Sequence, residues 1–370
     1  MPKIRIIEKD KTQLPNRGVT ENIIFMVDAN ASDKPELLTK SILAEKKKAE
    51  GYTAYANETL IEKILELGGK VIVCDSYEHA KGYLKDRNQF NVKFLLAKEG
   101  EQNNIQELTD ALEVACYRRD CAVVYTKITK TYDKKEEDLL KEALDKNKDK
   151  DAFMATEEKD IKGKYVLPFY NKDLDVDAGA GYILAFLNAA KTNAEWLAAA
   201  GSKRGEIPGV TKAELLTESE IETMQPDGTV ADKIAINPIL NMNPWGIRVW
   251  GNRTAYPVGK DKEQKAEGLI ASSFANIRIL LCDLKKELYK AARKYQFEQN
   301  SDVLWVNFTA EVYPLLEEMV QSYGIAGYRW YREETDERAK LKARLEIVPI
   351  EAIENFDLSI ELVNSLEVSE

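Results

Sequence analysis

Short apolar runs separated by helix-length segments constrain the fold of this chain more than any other feature of its sequence. Four runs predict buried strands: NIIFMV (22–27), KVIVC (70–74), NVKFLLA (91–97) and CAVVYTK (121–127). Between them, residues 57–67 predict a helix that ends at Gly68-Gly69, and residues 105–115 carry apolar side chains at helical spacing. Strands joined by helices of this length pair in parallel, because a parallel crossover needs a dozen or more residues. The sequence therefore predicts an α/β fold with a mainly parallel sheet covered by helices.

The second half of the chain changes character and predicts a smaller α+β domain. Its predicted elements are an apolar helix after Gly181, a helix with a capping box at Thr217 and Glu220, a strand at 246–251, a long helix over 270–295, a strand VLWVNF at 303–308 and a helix over 311–323 that ends at Gly324. The charge-dense stretch 133–151 predicts an exposed helix and loop. We expect four units: an amino-terminal arm (1–20), an α/β core (21–245), a carboxy-terminal α+β domain (246–352) and a carboxy-terminal arm (353–370).

The two ends of the chain predict strands of opposite charge. In a basic stretch at one end, Ile4 and Ile6 alternate with charged residues. At the other end the apolar residues that alternate with polar or acidic ones are Phe356, Leu358, Ile360 and Leu362. From Glu351 onward there are six acidic residues and no basic one. Each strand could pair within its own domain, or the strands could be exchanged between neighbouring subunits, where backbone ladders supply affinity and opposite charges fix the pairing.

The composition argues against several common classes of protein. With 63 acidic and 53 basic residues the formal net charge is −10, so the chain is a poor general binder of nucleic acid. The single histidine, His79, is predicted on an exposed helix, whereas most serine and cysteine hydrolases and most catalytic zinc sites need histidine. The four cysteines never fall into CxxC spacing. Since no apolar run reaches the length of a membrane span and the first residues lack a secretory signal, we expect a protein folded in a reducing cytoplasm without membrane insertion.

The most tempting chemical motif is DLDVDAGAG (173–181). Its aspartates have the odd-position spacing of a calcium loop, but Ala178 stands at the sixth position and Leu184 at the twelfth. Gly179-x-Gly181 lacks the third glycine of a dinucleotide fingerprint. An acidic loop that leads into a helix is the favoured interpretation, so we expect no catalytic residue, no metal and no cofactor. The residues alone leave open an α/β enzyme or ligand-binding protein of the cytoplasm.

The stretch NPILNMNPWGIRVWGNRTAY (237–256) resembles a signature of contractile tail sheath proteins. The matching positions are Asn237, Ile239, Gly246, Val249, Trp250, Gly251, Arg253 and Thr254. Three further segments are similar to segments of that family in the same order: 111–125, 181–201 and 274–308. The resemblance covers roughly residues 60 to 365 and is weakest around 133–165.

The resemblance implies a mechanical function on a core often described as subtilisin-like, without catalysis. It implies a helical homopolymer that surrounds a tail tube and contracts to drive the tube through a cell envelope, with terminal strands exchanged between subunits. The expected partners are other copies of the chain, the tail tube, the baseplate and a tail terminator, in a virion tail or a headless bacteriocin particle assembled in the host cytoplasm. The expected tube contacts lie on the basic face of the 270–295 helix: Arg278, Lys285, Lys290 and Arg293. The helix at 311–323, with Glu317 and Glu318, is the alternative tube-facing surface.

Overall fold

A large sheet and a separate β-hairpin organise the computed structural model, which describes residues 21–144, 161–226, 233–257, 269–336 and 338–352. The strands are β1 Ile23–Val27, β2 Glu36–Leu38, β3 Lys70–Cys74, β4 Phe94–Lys98, β5 Ala122–Lys127, β6 Val166–Tyr170, β7 Asn237–Met242, β8 Gly246–Val249, β9 Ile325–Glu333 and β10 Lys342–Pro349. The helices are α1 Lys40–Lys46, α2 Glu58–Glu66, α3 Tyr77–Lys85, α4 Gln106–Arg118, α5 Lys134–Lys141, α6 Ala178–Ala190, α7 Gly201–Arg204, α8 Glu218–Met224, α9 Ala275–Lys294 and α10 Asp302–Gln321. Short 3-10 turns lie at Glu101–Asn103, Lys162–Tyr165 and Ala271–Ser273.

The first eight strands form one sheet in the order β2-β3-β1-β4-β5-β6-β7-β8. The six inner strands pair in parallel, and only β2 and β8, at the two edges, are antiparallel to their neighbours. This topology confirms the predicted α/β class with a mainly parallel sheet. The apolar runs predict this topology, because the inner strands of a parallel sheet are buried on both faces and therefore carry few polar side chains.

Helices cover both faces of the sheet. Helices α2 and α6 pack on one face, and α3 and α4 pack on the other. The first ten residues of α6 are all buried, and Gly179 allows this close approach. A Cβ atom at Gly179 would lie 2.8 Å from Oγ1 of Thr126 on β5. The predicted apolar helix after Gly181 is thus confirmed as the central helix of its layer.

The β9–β10 hairpin forms a second, smaller core with α9 and α10. Val312 and Leu316 of α10 are buried in it, and the indole rings of Trp305 and Trp330 stack at 5.5 Å. Helix α9 contributes to both cores: Ile279 packs with the sheet, and Leu280 packs with the hairpin. One long helix therefore joins the two parts of the molecule.

Residues 303–308 form the first turns of α10, so the strand predicted there is wrong. Ser301 caps this helix by accepting a hydrogen bond from the Leu304 backbone N–H (3.2 Å). The apolar residues around it bury one face at helical spacing: Trp305, Phe308, Val312, Leu316 and Met319. A six-residue run with five apolar residues does not distinguish a strand from a buried helix, and here packing outweighs the β-propensity of valine.

The strand predicted at 246–251 is present as β8, and it belongs to the large sheet. It pairs antiparallel with β7, with Val249 opposite Ile239. The boundary that the sequence suggests at residue 246 therefore falls inside a hairpin of this sheet. The division of the chain into a core and a carboxy-terminal domain remains a prediction.

Candidate functional surfaces

The signature segment (237–256) forms a buried polar joint around β7, the strand next to the edge strand β8. The fully buried amide of Asn237 donates to the carbonyl oxygens of Pro168 (2.8 Å) and Arg253 (2.7 Å). Its Oδ1 accepts from the Arg253 backbone N–H (2.7 Å). A Cβ atom at Gly251 would lie 2.5 Å from the same Oδ1, so glycine is required there. The motif thus ties β6, β7 and the chain after β8 together.

The end of the motif also fixes the start of α9. Thr254 donates from Oγ1 to the carbonyl oxygen of Ser272 (2.7 Å). Asn252 and Asn276 bond reciprocally, through Nδ2 of Asn252 to Oδ1 of Asn276 (2.7 Å) and from the Asn276 backbone N–H to Oδ1 of Asn252 (3.1 Å). These bonds fix the start of α9. The helix then passes the amino ends of the sheet strands, where it contacts the residues before β4 and β5.

A buried ion cluster joins α9 to the amino end of β4. Lys93, which is 1% exposed, lies between Asp283 of α9 (2.8 Å) and Glu195. Burial opposes the charge on Lys93, but the two carboxylates outweigh it and raise its pKa. For the acid Asp283, burial also disfavours the charged form and therefore raises the pKa. Its Oδ1 has no hydrogen-bond partner among the described residues. Lys286 donates to the carbonyl oxygen of Val92 (2.7 Å) beside this cluster.

The four cations predicted to face the tube do not share one surface. Arg278 is 3% exposed and lies over the ring of Tyr165, with 4.9 Å from its Cζ to the ring centroid. Lys285 points the same way and donates to the backbone carbonyl oxygen of Arg119 (3.0 Å). The expectation of one exposed basic face is therefore wrong for these two residues. Because α9 packs against the sheet on one side and α10 on another, its long cationic stems bury against protein.

The other two predicted tube contacts lie near the end of α9 and are accessible. The Lys290 side chain is 64% exposed and 3.6 Å from Glu287. Arg293 is exposed and donates to Oδ1 of Asn88 (2.6 Å). The alternative helix, α10, exposes several apolar side chains, among them Val303, Val306 and Tyr313. Whether any of these surfaces contacts a tube stays a prediction.

The predicted exchange strands lie outside the described residues. This applies to all six residues named for the exchange: Ile4, Ile6, Phe356, Leu358, Ile360 and Leu362. Within the described part of the chain, β9 and β10 pair only with each other, from Lys342 opposite Glu333 to Pro349 opposite Ile325. This hairpin therefore presents strand edges without a described partner.

The carboxyl edge of the sheet, where α/β proteins commonly bind ligands, holds a closed ion cluster. Lys127 at the end of β5 is fully buried between Glu136 (2.6 Å) and Glu99 (3.1 Å). Tyr125 donates to Glu136 (2.7 Å), and the Ile128 backbone N–H donates to Glu99 (2.7 Å). These groups satisfy one another and hold α5 and the β5–α5 loop on the sheet. A neighbouring cavity of about 250 Å³ is lined by Lys98, Thr126, Asn171, Lys172, Asp175, Asp177 and adjacent residues.

The acidic motif at 173–181 stabilises loops. Asp175 accepts from the backbone N–H (2.7 Å) and Oγ1 (2.9 Å) of Thr211, and Asp177 pairs with Lys98 (2.7 Å). Across the described segments, no group of three or more His, Cys, Asp or Glu side chains is arranged to hold a metal ion. His79 lies exposed on α3, where a hydrogen bond to Asp75 (2.8 Å) raises its pKa.

Sequence reasoning missed the ion cluster under the sheet. The available signal was Lys93, a lone cation inside the apolar run NVKFLLA. A lysine in a buried strand needs carboxylate partners, since an unpaired buried charge costs several kcal/mol. Its partners are about 100 and 190 residues away in the chain, so local spacing could not identify them.

Comparisons with known proteins find the same fold in assembled particles. No protein-family model matches the chain, and no curated protein matches it in sequence. A structure of the PVC sheath complex of an extracellular contractile injection system, in the contracted state, aligns with a TM-score of 0.65 at 16% identity over 98% of both chains. The six-fold symmetrised baseplate of the anti-feeding prophage gives 0.63 at 12% identity over 98% of this chain and 99% of that one. The contracted helical sheath of the same prophage gives 0.61 at 14% identity over 97% and 98%.

This chain therefore has the fold of sheath and baseplate proteins of contractile injection systems, along nearly its whole length. No helix in the described ranges is long and apolar enough to cross a membrane.

Proposed function

We propose that this chain is a structural subunit of a contractile tail sheath. It polymerises helically around a tail tube and contracts to drive the tube through the envelope of a target cell. The observation that carries the proposal is the fold likeness to contractile-system proteins, which leaves almost no part of either chain unmatched. An enzyme or ligand-binding protein on the same fold is not favoured, because the buried charges at the carboxyl edge bond to one another.

The physical requirement for such a polymer is a repeated head-to-tail contact between copies. Contacts of this kind generate open helical arrays when the rotation between copies does not close a ring. Contraction requires two packings of the same subunit with different free energies, the extended one being metastable. The tube, the baseplate and a terminator protein hold the extended state, in a virion tail or a headless particle assembled in the host cytoplasm.

Strand exchange through the chain ends would link neighbouring subunits while their cores move. The exchanging residues are Ile4 and Ile6 in the basic arm and Phe356, Leu358, Ile360 and Leu362 in the acidic arm. One observation supports the β9–β10 hairpin as the acceptor. Its outer strand edges have no partner among the described strands, and unpaired edges are templates for a further strand.

The tube contact is proposed at Lys290 and Arg293, since these two of the four candidate cations are accessible. Charge reversal at both residues is expected to reduce the decoration of purified tubes, whereas reversal at the exposed Lys48, near α1, is the matched control. Unchanged decoration by the double variant would remove α9 from the tube contact and favour α10.

Electron microscopy of the purified protein tests the sheath proposal. The full chain, alone or with tube and baseplate added, is expected to form tubular polymers. A chain that lacks residues 353–370 is expected to form none, because its subunits lose the exchanged strand. Polymers from both chains would support the sheath proposal and would show that the carboxy-terminal arm is not needed to link the subunits. A full chain that never polymerises, even with tube and baseplate, contradicts the proposed function.

A further inference from the structure

Two arginine side chains lie against one tyrosine ring where the last turn of α9 meets the turn between α3 and β4. The Cζ atoms of Arg87 and Arg293 are each 5.7 Å from the ring centroid of Tyr289. At this distance an aromatic ring attracts a cation. The Tyr289 ring therefore restricts where both guanidinium groups lie.

The two arginines differ in whether a carboxylate neutralises their charge. The Arg87 side chain is 11% exposed and pairs with Asp120 (3.0 Å). Arg293 is exposed and forms no ion pair among the described residues. Its hydrogen-bond partner is the neutral amide of Asn88, whose Oδ1 accepts from Nη1 of Arg293 (2.6 Å). Arg293 thus carries a charge that its contacts hold in place but do not neutralise.

The turn that carries Asn88 is closed by hydrogen bonds to Asp86. The Asn88 backbone N–H donates to Oδ1 of Asp86 (2.8 Å), an arrangement typical of tight turns. The backbone N–H groups of Gln89 and Phe90 both donate to the Asp86 carbonyl oxygen (3.2 Å each). The acceptor of Arg293 is therefore itself fixed, and Arg293 loses side-chain freedom before any partner binds.

The remaining donors of Arg293 suit one kind of ligand. A guanidinium has five N–H groups, and the Nε–Nη2 edge of Arg293 has no hydrogen-bond partner in the described part of the chain. Two parallel N–H groups on one edge match the two oxygens of a carboxylate. A side chain that is already held in position pays less to make such a pair than a mobile one.

The neighbouring cation Lys290 lacks these features. Its side chain is 64% exposed and lies 3.6 Å from Glu287, one turn earlier on α9, which offsets part of its charge. Its ammonium group is a strongly hydrated point charge on a flexible stem, and exposed lysine pairs contribute little binding energy. Of the two accessible cations, Arg293 is therefore the better anchor for a partner.

We propose that Arg293 is the main tube contact of this chain, that Asn88 and Tyr289 position it, and that its ligand is a carboxylate on the surface of the tail tube. This rests on the proposed function, which sets a tube against the end of α9. Within that function it names the chemistry of the contact and the residue that carries most of it. Nucleic acid is the other polyanion that a guanidinium binds, and the net charge of −10 disfavours it.

Cosedimentation with purified tail tubes tests the proposal on the full-length protein, at concentrations too low for the protein alone to polymerise. The quantity measured is the protein concentration that gives half-maximal decoration. We expect R293M to raise it about tenfold or more, through loss of charge-assisted hydrogen bonds, and K290M to raise it less than about threefold. N88A and Y289L should each raise it about two- to fivefold, whereas Y289F, which keeps the ring, should not change it.

Two further arms test the positioning and the ligand. Because Tyr289 acts through Arg293, Y289L should have no additional effect in the double variant R293M/Y289L, which a merely structural role would not produce. Tubes whose carboxylates have been converted to neutral amides, with a carbodiimide and ethanolamine, should not be decorated by the parent protein.

The outcomes separate this proposal from the proposed function. If the parent protein does not decorate untreated tubes, the tube contact fails and this proposal fails with it. If it does, the anchor is overturned by equal effects of R293M and K290M, by a full effect of Y289L in the R293M background, or by normal decoration of amidated tubes. Saturable binding of duplex DNA that R293M abolishes would assign the residue to nucleic acid instead. The sheath proposal would survive each of these last four results.

Discussion

Replacement of Lys93 by methionine tests the reasoning about the buried ion cluster most directly. Met keeps the apolar stem and removes the charge that pairs with Asp283 and Glu195. Asp283 already lacks a described partner at Oδ1, so the substitution leaves both of its oxygens unpaired in a buried site. Breaking one side of a buried ion pair costs about 3–5 kcal/mol, which is a large part of the roughly 5–15 kcal/mol that stabilises a typical domain.

Urea denaturation gives the free energy of unfolding for this variant, if the protein concentration is kept too low for polymers to form. The matched control is K98M at the other end of β4, where Lys98 and Asp177 form an exposed pair worth about 0–1 kcal/mol. The double variant K93M/D283L should recover most of the loss, because it removes the unpaired charge as well. If K93M loses no more stability than K98M, the cluster is not the buried ion pair that we describe.

The same variant has an expected pH dependence. Burial already raises the pKa of Asp283, and loss of Lys93 raises it further. A carboxyl group whose pKa is higher in the folded than in the unfolded chain destabilises the fold as pH rises above its unfolded value. The loss of stability in K93M should therefore be smaller at pH 5 than at pH 8. An equal loss at both values would contradict a buried carboxylate as the cause.

Three further substitutions test the joints between elements. G324A should cost about 1–3 kcal/mol in urea unfolding, because its Cβ would lie 2.7 Å from Leu280 Cδ1, whereas G327A, with open space around its Cβ, should change little. N237A should cost about 3 kcal/mol or more through the loss of three buried hydrogen bonds, and the exposed N241A is its control; equal losses would argue against the joint. Y125F should cost about 1 kcal/mol in the same assay, the value of its one hydrogen bond to Glu136, and no loss would mean that this bond is not needed.

The parts of the fold that could be predicted from sequence are those decided by short-range patterns. The strands at 70–74 and 121–127 were predictable because they are apolar on both faces. The capping box of Thr217 and Glu220 is present as expected, since its two bonds join residues three apart. Residues 303–308 were mispredicted because their neighbours in space, Trp330 and Tyr295, decide the conformation and lie outside any local window.

The positions of the α9 cations show a limit of a different kind. Their helical spacing is correct, and it was natural to expect a helix with one apolar stripe to expose its charged residues. Helix α9 instead packs against two cores, so Lys286 and Arg278 are buried against the sheet while Lys290 stays in solvent. A sequence shows that a residue is charged, but its exposure depends on how many sides of its helix are covered.

This chain shares its fold with its structural neighbours at only 12–16% identity. Apolar cores tolerate extensive substitution if volume and pattern are kept, so most of the sheet can change its side chains. The amide of Asn237 has no such freedom, since it must accept one hydrogen bond and donate two to fixed backbone positions around a glycine. The signature segment therefore lies at a joint inside the molecule, where the geometry restricts which residue types fit.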